Sequence, residues 1–163
     1  MPEDVRWLSA DERDAWLAAA SLTVLLPGAL DAQLQADAGL SFFEYMILAV
    51  LSEQDDHTLR MSDIAAFASG SLSRLSHAAT RLEKQGFLTR SKIPGPGRST
   101  NATLTEAGYA KVVATAPGHV AEVRRLLIDA VAPADLAALT RIGRALGARL
   151  AAPDGKEPPC PTS

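Results

Sequence analysis

The 163-residue chain contains one cysteine, Cys160, so an intrachain disulfide and any multi-cysteine zinc site are excluded, and the fold must stand on its core. Aromatic residues make up only 5%, while apolar residues reach 47%. Ala and Leu, good helix formers, carry that apolar share, which argues against an all-β fold and against disorder. The longest uncharged apolar stretch, Ala15 to Leu30, is interrupted by Ser21, Thr23, Pro27 and Gly28. It falls short of the ~20 apolar residues that cross a bilayer, so no membrane association is expected. The first fourteen residues hold Glu3, Asp4, Asp11, Glu12 and Asp14 against Arg6 and Arg13, the opposite of the positive start of a secretory signal. A cytoplasmic location is the expectation. Catalytic patterns are missing too. His57, His77 and His119 stand in separate segments, and there is no phosphate loop, HExxH or CxxC, so neither an enzyme nor a cofactor is expected.

The formal net charge of −3 conceals an uneven distribution. Residues 1–56 carry 2 basic and 11 acidic side chains. Residues 57–98 reverse this, with Arg60, Arg74, Arg81, Lys84, Arg90, Lys92 and Arg98 against Asp63 and Glu83. A basic segment of some forty residues within an acidic protein suits a polyanion, although a mixed, solvated surface would show the same count.

Local patterns decide what that segment is. Ser9 and Glu12 form a capping box that opens a helix, with Trp16, Leu17, Ala20, Val24 and Leu34 in approximate helical period to about Ala38. Pro27-Gly28 is expected to bend or interrupt it, and Gly39 to end it. Ser41 and Glu44 form a second box, opening a short buried helix through Tyr45, Leu48, Ala49 and Leu51. A brief extended Thr58-Leu59-Arg60 precedes a small helix at about Met61 to Ala68, with Ile64, Ala65 and Ala68 facing inward. After the turn at Gly70, Ser71 caps a helix whose Leu72, Leu75, Ala79 and Leu82 make one apolar face. The opposite face displays Ser73, Arg74, His77, Thr80, Arg81 and Lys84, all hydrogen-bond donors, with no acid among them. Phe87 to Arg90 then alternates as a half-exposed strand does, and a second strand is expected at Ser99 to Leu104. Between them lies the Pro/Gly tip Ile93-Pro94-Gly95-Pro96-Gly97-Arg98, a β-wing with a cation at its end. Further helices are predicted from Thr105 to Pro117, from His119 to Val131 and from Pro133 onward, the last with the stripe Leu136, Leu139, Ile142, Leu146 and Leu150.

Helix, helix, helix, polar helix, strand, tip, strand is the order of a winged helix-turn-helix, whose polar helix enters a DNA major groove while the wing reaches the minor groove. At the level of residues the chain resembles the MarR family of transcriptional regulators from about Trp7 to Leu150. The resemblance rests on Gly39-Leu40-Ser41 with Glu44-Tyr45, on Leu59 to Ala65, on Leu72 to His77, on Arg81 to Arg90, and on Leu104-Thr105-Glu106-Ala107-Gly108. It implies a mainly α fold: a winged helix-turn-helix with a two-stranded β-wing at residues 39–104, and a helical dimerisation lobe from the N- and C-terminal helices, 9–38 and 105–150. Residues 151–163 are expected to be a disordered tail. It further implies a homodimer on a palindromic double-stranded DNA operator, often released by a small ligand between the lobes. Where the family has an Asp that braces the wing, this chain has Pro96.

The candidate DNA contacts are Ser71, Ser73, Arg74, Ser76, His77, Thr80 and Arg81, then Lys84, Arg90 and, on the wing, Arg98. Ser71 and Ser73 are more ambiguous, since a serine at a helix start is usually just a cap. Trp16, Phe42, Tyr45 and Met46 are candidates to line a pocket for a small aromatic or other apolar effector, though residues so spaced are more often core. His57 is expected in a solvated loop, His119 in a buried hydrogen bond at the dimer lobe, and Cys160 as an inert thiol. The rival reading is a winged helix used as a protein-interaction module, against which the basic outward face argues.

Overall fold

A computed structural model describes residues 5–67, 72–94 and 99–151. Ser71, the wing tip with Arg98, and the tail with Cys160 lie outside the described residues. In order, the chain forms α1 (Ala10–Ala38), α2 (Phe42–Ser52), β1 (Thr58–Arg60), α3 (Met61–Phe67), α4 (Leu72–Lys84), β2 (Leu88–Lys92), β3 (Thr100–Leu104), α5 (Glu106–Val123) and α6 (Leu136–Ala151). A π-helical turn at Arg124–Ile128 and a 3-10 turn at Pro133–Asp135 join the last two helices.

Both capping boxes form. Glu12 N–H donates to Ser9 Oγ at 3.2 Å while Ser9 N–H donates to Glu12 at 2.8 Å, and Ser41 and Glu44 repeat the exchange at 3.2 and 2.9 Å. Gly39 closes α1 at φ 66°, a conformation that favours glycine, with its N–H donating to Gln35 O. The expected interruption at Pro27 does not occur: α1 runs 29 residues through it. Proline there removes one N–H donor from the ladder, but Thr23 and Pro27 are both exposed, so water can serve the freed Thr23 carbonyl. Pro117, also exposed, is carried through α5 in the same way. With that continuity α1 becomes long and apolar enough, by length and composition alone, to span a bilayer, which the broken stretch did not predict.

The expected two-stranded wing forms from β2 and β3, and the extended Thr58–Arg60 segment joins it as β1, giving three antiparallel strands in the order β1-β3-β2. Leu59 pairs with Ala102, which pairs in turn with Arg90, and Leu88 faces Leu104. Three residues of β1 suffice because Thr58 and Thr103 add a hydroxyl–hydroxyl bond of 2.9 Å across the pair.

The core gathers Leu34 and Leu40, then Ile47, Leu48 and Leu51 of α2, Ile64 of α3, Leu75 and Leu82 of α4, and Leu88 of β2, all fully buried. α5 is fastened to it by a close approach. A Cβ on Gly108 would collide with Phe87 O and stand 2.7 Å from Leu104 Cδ1. Thr105 makes that approach possible: its hydroxyl donates to Gly86 O at 2.6 Å and accepts from Gly108 N–H at 3.0 Å. The Leu-Thr-x-x-Gly run is thus a weld between the β-hairpin and the following helix.

The rest is different. Every residue of α1 from Ala10 to Ala19 is exposed, and so is α6 from Arg141 to Leu150. Trp16, Leu17, Val24, Leu25, Val120, Ile142, Leu146 and Leu150 all stand among the exposed large apolar side chains.

Candidate nucleic-acid interface

Helix α4 buries Leu75, Ala78, Ala79 and Leu82 against the core. Leu72, expected inside, is 61% exposed, and Ala78 takes its place in the buried row. In α3, Ile64 and Ala65 are buried as the spacing predicts, while Ala68 lies outside the described residues. The outward face of α4 presents Ser73, Arg74, Ser76, His77, Arg81 and Lys84. The side chains of Ser73, His77 and Lys84 make no hydrogen bond or ion pair among the described residues, so their donors are available to a partner.

Four of the other candidates are engaged within the chain. Arg90 Nη2 donates to Glu83 at 2.7 Å and to Thr80 Oγ1 at 3.1 Å, and Arg90 Nε and N–H also bond Glu83. Thr80 and Arg90 are half-buried, and together they clamp β2 to α4. The Arg90 bonds hold the Glu83 carboxyl below the ordinary carboxylate range.

Arg81 Nε donates to Glu44 Oε1 at 2.7 Å. The other Glu44 oxygen accepts from the Ser41 N–H and hydroxyl, at 2.9 and 2.8 Å. Burial alone would raise the Glu44 pKa, but the Ser41 and Arg81 bonds outweigh it and keep the carboxyl below its ordinary value. The same junction is tied to α1, because Phe42 N–H donates to Asp31 Oδ1 at 2.8 Å. A continuous polar line therefore runs from α1 through the start of α2 to the middle of α4. Arg74 lies over the Phe43 ring, 4.3 Å from its centroid, a cation–π contact that turns the guanidinium toward α2.

Two adjoining clefts open along that line. One of about 580 Å³ is lined by Pro27, Gly28, Asp31, Phe42, Phe43, Met46 and Arg74. The other, about 610 Å³, is lined by Asp31, Ser41, Phe43, Ser73, Arg74, His77 and Arg81. Of the effector candidates, Phe42 and Met46 line the first. Trp16 lies on the exposed first half of α1, and Tyr45 is buried in the core beneath His119, with ring centroids 4.6 Å apart. Phe43 and Asp31 were missed. The signal for Asp31 was its place eleven residues before an N-terminal helix N–H, which no local spacing rule detects.

The two remaining histidines also differ from expectation. His57 is not simply solvated: it sits at φ 52° with its ring 5.2 Å from Tyr109, its carbonyl accepts from Leu104 N–H, and its buried Nδ1 has no hydrogen-bond partner among the described residues. His119 packs on Tyr45 and Phe42, and its buried Nδ1 has no hydrogen-bond partner among the described residues. Burial lowers its pKa.

Comparison with known proteins bears on these features. The sequence profile of the MarR family matches residues 40–100, the stretch from the end of α1 to the start of β3. Sco3205, a MarR family transcriptional regulator from Streptomyces coelicolor solved in complex with DNA, is 40% identical, with 88% of this chain and 90% of that one covered at a TM-score of 0.82. AbsC, another MarR family regulator of the same organism, is 38% identical over 90% of this chain and 98% of its own, with a TM-score of 0.81. An uncharacterised HTH-type transcriptional regulator of Bacillus subtilis (strain 168), YdcH, is 31% identical over 84 residues, which span 57% of its length. Similarity to two solved regulators over 88% and 90% of this chain, a matching profile over the helix-turn-helix and a polar α4 beside a three-stranded sheet agree: the chain belongs to the MarR family of transcriptional regulators.

Proposed function

We propose that this regulator binds double-stranded DNA as a homodimer, reads a pseudo-palindromic operator with α4, and acts in the cytoplasm as a repressor released by a small aromatic or other apolar ligand. The observation that carries the DNA reading is the outward face of α4, where Ser73, His77 and Lys84 offer donors with no partner among the described residues, while the nearby acids Asp31 and Glu83 are engaged by Phe42 N–H and Arg90. A helix of this kind inserts its side chains among the base-edge acceptors of the major groove. Thr80, Arg81 and Arg90 support that helix from within the protein. Ser71 and Arg98 enter the proposal from the sequence alone.

The dimer reading rests on the bare apolar side chains of α1 and α6, which a single copy leaves in water. Residues 9–38 and 105–150 would supply the dimer lobe and residues 39–104 the reading head. The ligand reading rests on the cleft floored by Phe42 and Met46, which touches both α1 and, through Arg74, α4. Recovery of DNA bound in vivo, followed by footprinting of the strongest sites, tests the core of the proposal. Two symmetric half-sites about one helical turn apart, ~34 Å, are expected. Recovery of no DNA above background would leave the interaction-module reading in its place.

A further inference from the structure

Between α4 and the sheet lies a third cleft, of about 310 Å³, lined by Arg60, Met61, Ser62, Leu72, Ser76, Arg90, Ser99 and Thr100. Its chemistry is one-sided. Two guanidinium groups and four hydroxyls face it, and no carboxylate is among its described lining residues. Arg90 is already neutralised by Glu83, and the Ser62 hydroxyl reaches Asp63 at 3.2 Å. Arg60 is different: it is exposed at the end of β1 and makes no side-chain hydrogen bond or ion pair among the described residues. The cleft is also placed in a particular way. Leu72 and Ser76 stand one turn apart on the first half of α4, and Ser99 and Thr100 stand at the root of the wing.

A duplex that places its major groove on α4 and its adjacent minor groove at the wing must pass one sugar-phosphate strand between them. On that DNA-binding reading, which this inference presupposes, the passing strand crosses the third cleft. We propose that the cleft is a phosphodiester-binding site in which Arg60 supplies the charge and the flanking serine and threonine hydroxyls supply donors. The exposed Leu72 then meets the deoxyribose beside that phosphate. A phosphate contact of this kind fixes the register of the reading helix without discriminating sequence.

The test uses the full chain and a fluorescein-labelled 30-base-pair duplex of arbitrary fixed sequence, titrated at several potassium chloride concentrations. Wild type is compared with Arg60→Gln, Arg60→Lys and, as a control cation on the distant start of α1, Arg13→Gln. Arg60→Gln is expected to reduce the magnitude of the slope of log K against log salt by about 0.9 for each subunit engaged. Arg60→Lys, which keeps the charge, should retain the slope, and Arg13→Gln should match wild type. An unchanged slope for Arg60→Gln, while wild type binds, overturns the phosphate site and leaves the DNA reading standing. Equal losses for Arg60→Lys and Arg60→Gln overturn it as well, since they mark the guanidinium as a structural support. Wild type that binds neither this duplex nor genomic fragments at any salt defeats the DNA reading itself.

Discussion

The winged half and the outer helices of this molecule satisfy their side chains in opposite ways. From Leu40 to Leu104 most large apolar residues are buried on one another, and two ion pairs join different elements, Glu44 with Arg81 and Glu83 with Arg90. In α1 before Leu26 and in α6 after Thr140, the large apolar residues are bare, and the ion pairs at the start of α1 are local, such as Arg13 with Asp14. The difference is where the partner surface lies: within the same chain for the winged half, and, on the dimer proposal, in a second copy for the outer helices.

The largest expected effect comes from removing one side of that second surface. Deleting residues 133–163 takes away α6 and its stripe, and the truncated chain should run as monomer or aggregate by light scattering. A well-folded dimer after that deletion would break the comparison, because α6 would then have been ornamental to assembly.

A pair of leucines sharpens it. Leu82 is fully buried and Leu146 is 55% exposed in one copy. Leu82→Ala should cost about 2–5 kcal/mol in urea unfolding at every protein concentration, since it leaves a cavity in the chain's own core. Leu146→Ala should change stability in a way that depends on concentration, as expected when folding is linked to association. Equal, concentration-independent losses would show that α6 finds its partner within one chain.

Much of the winged half was legible because its decisive signals are local. Ser41 with Glu44 and the Leu75, Ala79 and Leu82 row of α4 act within a few residues and are found as the spacing predicts, as are Ser9 with Glu12 and Gly39 at the ends of α1, while Leu72 is turned outward. What was not legible is nonlocal. Arg90 was expected to face DNA, and nothing in Phe87 to Lys92 announces that Glu83 and Thr80 would receive it. Arg74 over Phe43 and Asp31 on Phe42 N–H likewise join residues from different elements. Pro27 and Pro117 misled for a different reason. A proline breaks a helix when its freed carbonyl has no alternative partner, and sequence does not say whether that carbonyl faces water.

The Glu44–Arg81 bond is the next smaller test, and it lies where the winged half meets α1. Glu44→Gln keeps the shape and removes the charge. Arg81 is 57% exposed, so solvent screens the pair and the loss should be only about 1 kcal/mol near neutral pH. The pH dependence gives the sign. Because the folded carboxyl has a lowered pKa, its stabilisation is present above the ordinary glutamate value of 4.5 and disappears as pH falls through the lower folded value. Urea midpoints of wild type and Glu44→Gln should therefore differ at pH 7 and converge in acid. Since Arg81 here supports α4, the variant should also weaken operator binding. A constant gap across pH would mean that the carboxylate charge is not what holds α4.

The smallest effect is expected at His119, on the seam between α5 and α2. Its ring packs on Tyr45 and Phe42, its Nδ1 has no partner among the described residues, and burial lowers its pKa. The unfolded chain, with histidine near its ordinary value of 6.5, binds a proton more readily than the folded chain does. Stability therefore rises with pH through the interval between the lowered folded value and 6.5, and levels off below it once both states are protonated. His119→Phe retains the stacking surface and removes both the proton and the unpartnered nitrogen. The variant should be equal to or slightly more stable than wild type near pH 7, and its urea midpoint should lose the small pH dependence that wild type shows below the ordinary histidine value. If His119→Phe instead lowers the midpoint at pH 7, the imidazole nitrogen has a hydrogen-bond partner in the assembled protein. The seam would then belong to the outer helices, whose side chains are completed from outside the single chain, rather than to the self-contained winged half.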